Sequence, residues 1–64
     1  MKYGPTITKI RKQQHLTQGE LALKVGITRE HLNRIEKGKE QGSMRTLARI
    51  ASALNIPLTE LLES

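Results

Sequence analysis

Arg29, Glu30, Asn33, Arg34 and Lys37 fall at i, i+1, i+4, i+5 and i+8 along the chain. On a helix those positions form one continuous polar face, opposite Leu32 and Ile35. The chemistry available there is directed hydrogen bonding: arginine presents a fork of donors, asparagine a donor and an acceptor, glutamate acceptors only. Nothing beside it is equipped to make or break bonds. The sequence shows no Ser-His-Asp set, glycine-rich phosphate loop or clustered acids, so an enzyme is not expected. With two histidines, His15 and His31, and no cysteine, neither a thiolate metal site nor a disulfide framework can be built. No cofactor and no small-molecule ligand are expected.

Charge bears on whether this polar face is merely solvated or meets a partner. The net charge of +5 is uneven: residues 1–39 carry nine Lys or Arg against three acids, residues 40–64 two against three. A localised basic surface suits a polyanion such as nucleic acid, although a solvated surface would carry the same excess. No apolar run approaches a membrane span, and the first residues, MKYGPTITKI, lack the apolar stretch of a signal peptide. A cytoplasmic protein without a membrane partner is therefore expected.

The elements that must hold the face follow from length and spacing. Sixty-four residues make one domain, 1–64, near the small end of what folds without a disulfide or metal. Tyr3 is the only aromatic residue, so the core is aliphatic, which favours packed helices over a sheet. Five helices can be placed. The first opens after Gly4-Pro5 with a stripe of Ile7, Ile10, Arg11 and Gln14. The second starts with a capping box, Thr17 and Glu20, has Leu21, Ala22 and Val25 as its apolar residues, and ends at Gly26. The third takes Thr28 as N-cap, buries Leu32 and Ile35, and stops at Gly38. The fourth takes Ser43 as N-cap and repeats Leu47, Ile50, Ala51 and Leu54, with Asn55 as a left-handed cap. The fifth is short, Pro57 to Leu62.

The link Gly26-Ile27 is too short to let helices two and three lie antiparallel, so they must cross steeply, as in a helix-turn-helix. Ala22 permits their close approach, and Gly26 supplies the positive φ of the turn. Arg11 lies four residues after Ile7, and Glu36 four after Leu32, each on a buried stripe. Both point inward. A partly buried Arg11 to Glu36 ion pair tying helix one to helix three is expected.

The stretches LTQGELALKVGIT, RIEKGK and SMRTLARIASALNIPLTELL resemble the Cro/C1-type helix-turn-helix domain of the XRE family, across residues 7 to 62. The resemblance implies an all-α, five-helix, lambda-repressor-like fold that binds double-stranded DNA, usually as a homodimer. It places base reading at Arg29, Glu30 and Arg34, with Thr28 and Asn33 beside them. In a major groove about 12 Å wide, arginine can fork onto guanine, glutamate can accept from cytosine and asparagine can pair with adenine. Glu30 is expected either to read cytosine or to orient Arg34, its i+4 partner. Thr17 and Gln18 are carried over as phosphate contacts at a helix N-terminus. Lys39, Ser43, the amides around Met44, and Arg45 offer a second clamp. Lys37 is counted with them, although Lys37 and Lys39 could equally be solvated charges. The sequence departs from the family at His15, where glycine or asparagine is usual, and at Pro57, which replaces a serine cap.

One domain of this size covers one half-site, so two copies about 34 Å apart are expected, acting more as a repressor than an activator. Ile56, Leu58, Leu61 and Leu62 form the expected dimer surface, with Leu58 and Leu61 the two that could instead fill the core. The rival reading is an antitoxin-like protein that docks a partner and binds DNA secondarily. An antitoxin of this kind usually carries an additional segment to cover its toxin, and none follows Ser64, which weighs toward DNA binding.

Overall fold

Helix α1 spans Tyr3–Gln13, α2 Gln18–Val25, α3 Arg29–Glu36, α4 Met44–Ala53 and α5 Leu58–Leu62. The structure, a computed structural model, describes residues 3–63, so residues 1, 2 and 64 of the expected domain lie outside it. Among the described residues there is no strand, and no helix is long and apolar enough to cross a membrane. Helix α2 packs on α3 and α4, α1 on α3 and α5, and α4 on α5.

Local chemistry sets the boundaries. The Thr17 hydroxyl accepts from the Glu20 amide at 3.0 Å while Glu20 Oε1 accepts from the Thr17 amide at 2.8 Å, completing the capping box. Thr28 and Ser43 cap α3 and α4 through the amides of His31 and Thr46. Gly26 ends α2 at φ 86, a value that L side chains avoid, and so turns the chain into α3. His15 and Asn55 take φ 60 and 63 after α1 and α4, left-handed as their positions suggest. Pro57 begins α5 with no side-chain cap.

Helix α1 starts earlier than its sequence suggests, at Tyr3, with Pro5 inside the first turn. Proline is tolerated there because its missing N–H would have no helical partner. The reason for the early start is tertiary. Gly4 is buried against the end of α3, where an added Cβ would lie 2.5 Å from the Glu36 carbonyl oxygen and 2.7 Å from that of Ile35. The Tyr3 hydroxyl, on the same turn, accepts from the Gly42 amide at 3.1 Å and joins α1 to the segment between α3 and α4.

All five helices supply the core. Ile7, Leu21, Leu32, Ile35, Ile50, Leu54 and Leu61 are fully buried, one or more from each helix or its cap. Leu61 is therefore a core residue, not part of a dimer surface. Helix α5 has only five residues and turns one position fully inward, leaving Leu58 and Leu62 half-buried at the edge of the core with Ile56. Gln14, placed on the stripe of α1, lies just past its end and is exposed, although its amide donates to the Leu54 carbonyl at 2.7 Å.

The expected ion pair is present and buried. Arg11 Nε meets Glu36 Oε2 at 2.9 Å and Arg11 Nη2 meets Oε1 at 3.1 Å, with the two side chains 9% and 3% exposed. Thr8 and Gln18 also donate to Oε1, at 2.9 and 3.1 Å, and Arg11 Nη1 donates to the Leu16 carbonyl at 2.7 Å. No buried side-chain polar atom among the described residues lacks a partner. Burial pushes the Glu36 carboxyl up, but hydrogen bonds from Arg11, Gln18 and Thr8, with the Arg11 charge, outweigh it and hold the group below its ordinary 4.5.

Glu36→Ala strands a buried guanidinium and should cost about 3–5 kcal/mol, lowering the melting temperature by more than about 10 °C; an unchanged melt would refute the scaffold role. Because the folded carboxyl titrates below its unfolded value, its stabilisation is complete above about pH 4.5 and lost as pH falls through the folded value. Urea midpoints taken across that acidic range should fall more steeply for the native chain than for Glu36→Gln. Separately, Gly4→Ala should destabilise by about 1–3 kcal/mol because the methyl meets backbone, although alanine is the better helix former. A urea midpoint equal to or above that of the native chain would contradict the close approach.

Candidate nucleic-acid interface

Helix α3 presents its polar face outward while Leu32 and Ile35 anchor the opposite side with no exposure. Thr28, Arg29, Glu30 and Arg34 are exposed and Asn33 is half-buried. Arg29, Glu30, Asn33 and Arg34 line a shallow groove together with Gln18 from the first turn of α2. The structure thus brings one expected phosphate contact into the same patch as the expected base readers.

Hydrogen bonds hold two of the side chains that line this groove. Asn33 Nδ2 donates to Gln18 Oε1 at 3.2 Å, and Gln18 Nε2 donates to Glu36 Oε1 at 3.1 Å. A chain of contacts therefore runs from the buried Arg11 to Asn33 on the outer face. It fixes the orientation of both amides, since an amide flipped at Gln18 would set its donor against the Asn33 donor and its acceptor against the carboxylate. Sequence spacing alone cannot show this link, because it depends on how α2 crosses α3.

Arg34 is held by a residue the sequence reading did not single out. Its Nε donates to Glu40 Oε1 at 2.8 Å, and His31 Nε2 lies 2.9 Å from Glu40 Oε2. Of the two roles expected for Glu30, reading cytosine or orienting Arg34 at i+4, the second falls to Glu40, reached by the fold of the segment after α3. The hydrogen bond from Arg34 is the main reason the Glu40 carboxyl lies below its ordinary value, with the His31 and Arg34 charges adding to it against a smaller effect of burial.

The other expected contacts lie at helix starts or on exposed chain. Thr17 and Gln18 stand at the start of α2, and Ser43 and Arg45 at the start of α4, where first-turn amides have no partner within their own helix. The Ser43 hydroxyl accepts from the Thr46 amide and donates to the Thr46 hydroxyl, so it is committed to its own helix. Thr17 Oγ1 accepts in the capping box, and a hydroxyl that accepts can still donate outward. Lys37, Lys39 and Arg45 are exposed.

Comparison with known proteins fits this arrangement. The helix-turn-helix family profile matches residues 7–61. The ImmF control region 10 kDa protein of Bacillus phage phi105 is 42% identical over 60 residues, covering 94% of this chain and 67% of that protein. The immunity repressor protein of the same phage is 38% identical over 61 residues, covering 95% of this chain and 42% of that protein. The chain thus spans only part of the length of these phage relatives. Among solved structures, the restriction-modification controller protein C.AhdI from Aeromonas hydrophila superimposes with a TM-score of 0.91 at 30% identity, covering 94% of this chain and 91% of that one. SinR, the master regulator for biofilm formation, in complex with DNA gives 0.87 at 28% identity, covering 94% and 97%. With the capped helix pair, the glycine turn and a family match over nearly its whole length, the chain belongs to the helix-turn-helix family, in the Cro/C1-type branch that its residues resemble.

Proposed function

We propose that the chain is the DNA-binding unit of a transcriptional regulator of the repressor kind, gripping an operator as a homodimer with α3 in the major groove. The observation that carries this reading is the exposed polar face of α3, braced from behind by Glu36 and flanked by cations. The likeness to SinR, solved in complex with DNA, supports DNA as the partner. With α3 so docked, Arg29, Glu30 and Arg34 meet base edges, with Thr28 and Asn33 beside them. Thr17, Gln18, Lys37, Lys39 and Arg45 meet phosphates, and Ser43, whose hydroxyl is held by Thr46, contributes by capping α4 so that the amides around Met44 face the DNA backbone. A regulator of this kind works in the cytoplasm, where its DNA is.

Principal dimensions of 25 × 22 × 18 Å suit one half-site, so a second copy about one helical turn away completes the grip. Ile56, Leu58 and Leu62, each half-buried against the core in or just before α5, form the surface that pairs the two copies. Sedimentation at micromolar concentration should show a dimer that Leu62→Glu converts to a monomer; an unaltered dimer would move the interface elsewhere.

DNA binding itself is tested with random duplex across a salt series. Affinity should fall steeply as salt rises, and the absence of any slope would favour the partner-docking role instead. Lys39→Ala should weaken all sequences alike and reduce that slope by about one, whereas Arg29→Ala should cost about 1–3 kcal/mol on the preferred site and relax choice at one base pair.

A further inference from the structure

Glu40 lies beyond the end of α3, in the segment leading to α4, yet it is bound to the α3 face. Gly38, at φ 75, reverses the chain. The amides of Lys39 and Glu40 then donate to the Arg34 carbonyl, at 2.9 and 3.3 Å, so the segment folds back onto the backbone of Arg34 itself. From that position Glu40 Oε1 takes Arg34 Nε at 2.8 Å, and Oε2 sits 2.9 Å from His31 Nε2, one turn earlier on the same helix. One carboxylate clasps two residues of α3.

Which atom it takes decides what Arg34 can still do. A guanidinium is planar and presents its donors in a fixed fork, so a partner at Nε orients the whole plane and leaves the Nη1 and Nη2 edge to a second acceptor pair. Guanine O6 and N7 are such a pair. An arginine without that partner would sample many rotamers and lose them on docking. Arg34 is half exposed, so packing alone does not restrict it.

We propose that Glu40 is a positioning residue that determines specificity: it holds Arg34 at Nε and directs the Nη edge at one base pair, while His31 steadies the other carboxylate oxygen. The proposal rests on Arg34 meeting a base edge, as assigned above. It has a consequence that a merely structural residue would not produce. A carboxylate beside the groove repels the phosphates of every sequence, so Glu40 weakens indiscriminate binding while it sharpens the choice of base.

The test is selection of sites from random duplex DNA by the full chain, followed by competition binding with single-base-pair variants of the preferred site. Glu40→Ala should reduce discrimination at the base pair read by Arg34 by roughly tenfold, with binding to random duplex unchanged or tighter. Glu40→Gln, which keeps an acceptor oxygen without the charge, should retain part of that discrimination. Arg34→Ala should abolish preference at the same base pair, and adding Glu40→Ala to it should change nothing further there. Thermal melts of all variants establish that each is folded. Full discrimination by Glu40→Ala, or an equal loss on every sequence, would overturn the proposal while leaving the role of Arg34 intact. Unchanged preference at every base pair in Arg34→Ala would remove both.

Discussion

A single buried carboxylate sets the terms for this domain. Glu36 ends α3 and accepts from Arg11 on α1, Thr8 on the same helix and Gln18 on α2, so three of the five helices meet at two oxygen atoms. Taking a charged pair out of water is expensive, and it is tolerated only where the geometry is good and the remaining lone pairs are filled. Both conditions hold at Glu36. Such a pair adds less to stability than its short contacts suggest, but it permits very few alternative arrangements of the helices it joins.

That restriction matters because the outer face of α3 can be no more definite than the angle at which α2 crosses it. The aliphatic core to which Leu21, Val25, Leu32 and Ile35 belong would allow small slips, since such packing is not directional. The Gln18 amide does not slip. It joins Glu36 on one side and Asn33 on the other, and so carries the register of the core out to the surface. Around that fixed centre the exposed arginines keep some freedom, which one of them loses to Glu40.

Much of this was readable from local chemistry. The helix pair is written in the capping box at Thr17 and Glu20, the small Ala22, the turn at Gly26 and the cap at Thr28, each acting within a few residues of itself. Arg11 and Glu36 were readable because helical periodicity puts both on buried stripes. What stayed hidden depended on contacts between distant segments. Gly4 is needed for its missing side chain against α3, not for any conformation a local rule detects. Leu61, Leu58 and Leu62 could not be ranked by spacing in a helix of five residues, where one turn decides which is inside. Glu40 gave no signal because it sits in irregular chain, and the i+4 rule pointed Arg34 to Glu30 instead.

Tyr3 gives the domain one more property. It is the sole aromatic side chain of the sequence, it is buried, and its hydroxyl accepts from Gly42 in the segment that leads into α4. The native near-ultraviolet signal of the protein therefore comes from one seam, the joint between the first turn of α1 and the chain that carries Lys39 to Ser43. Loosening of that joint would be visible in tyrosine emission without any added label, while helix content, read in the far ultraviolet, stayed constant.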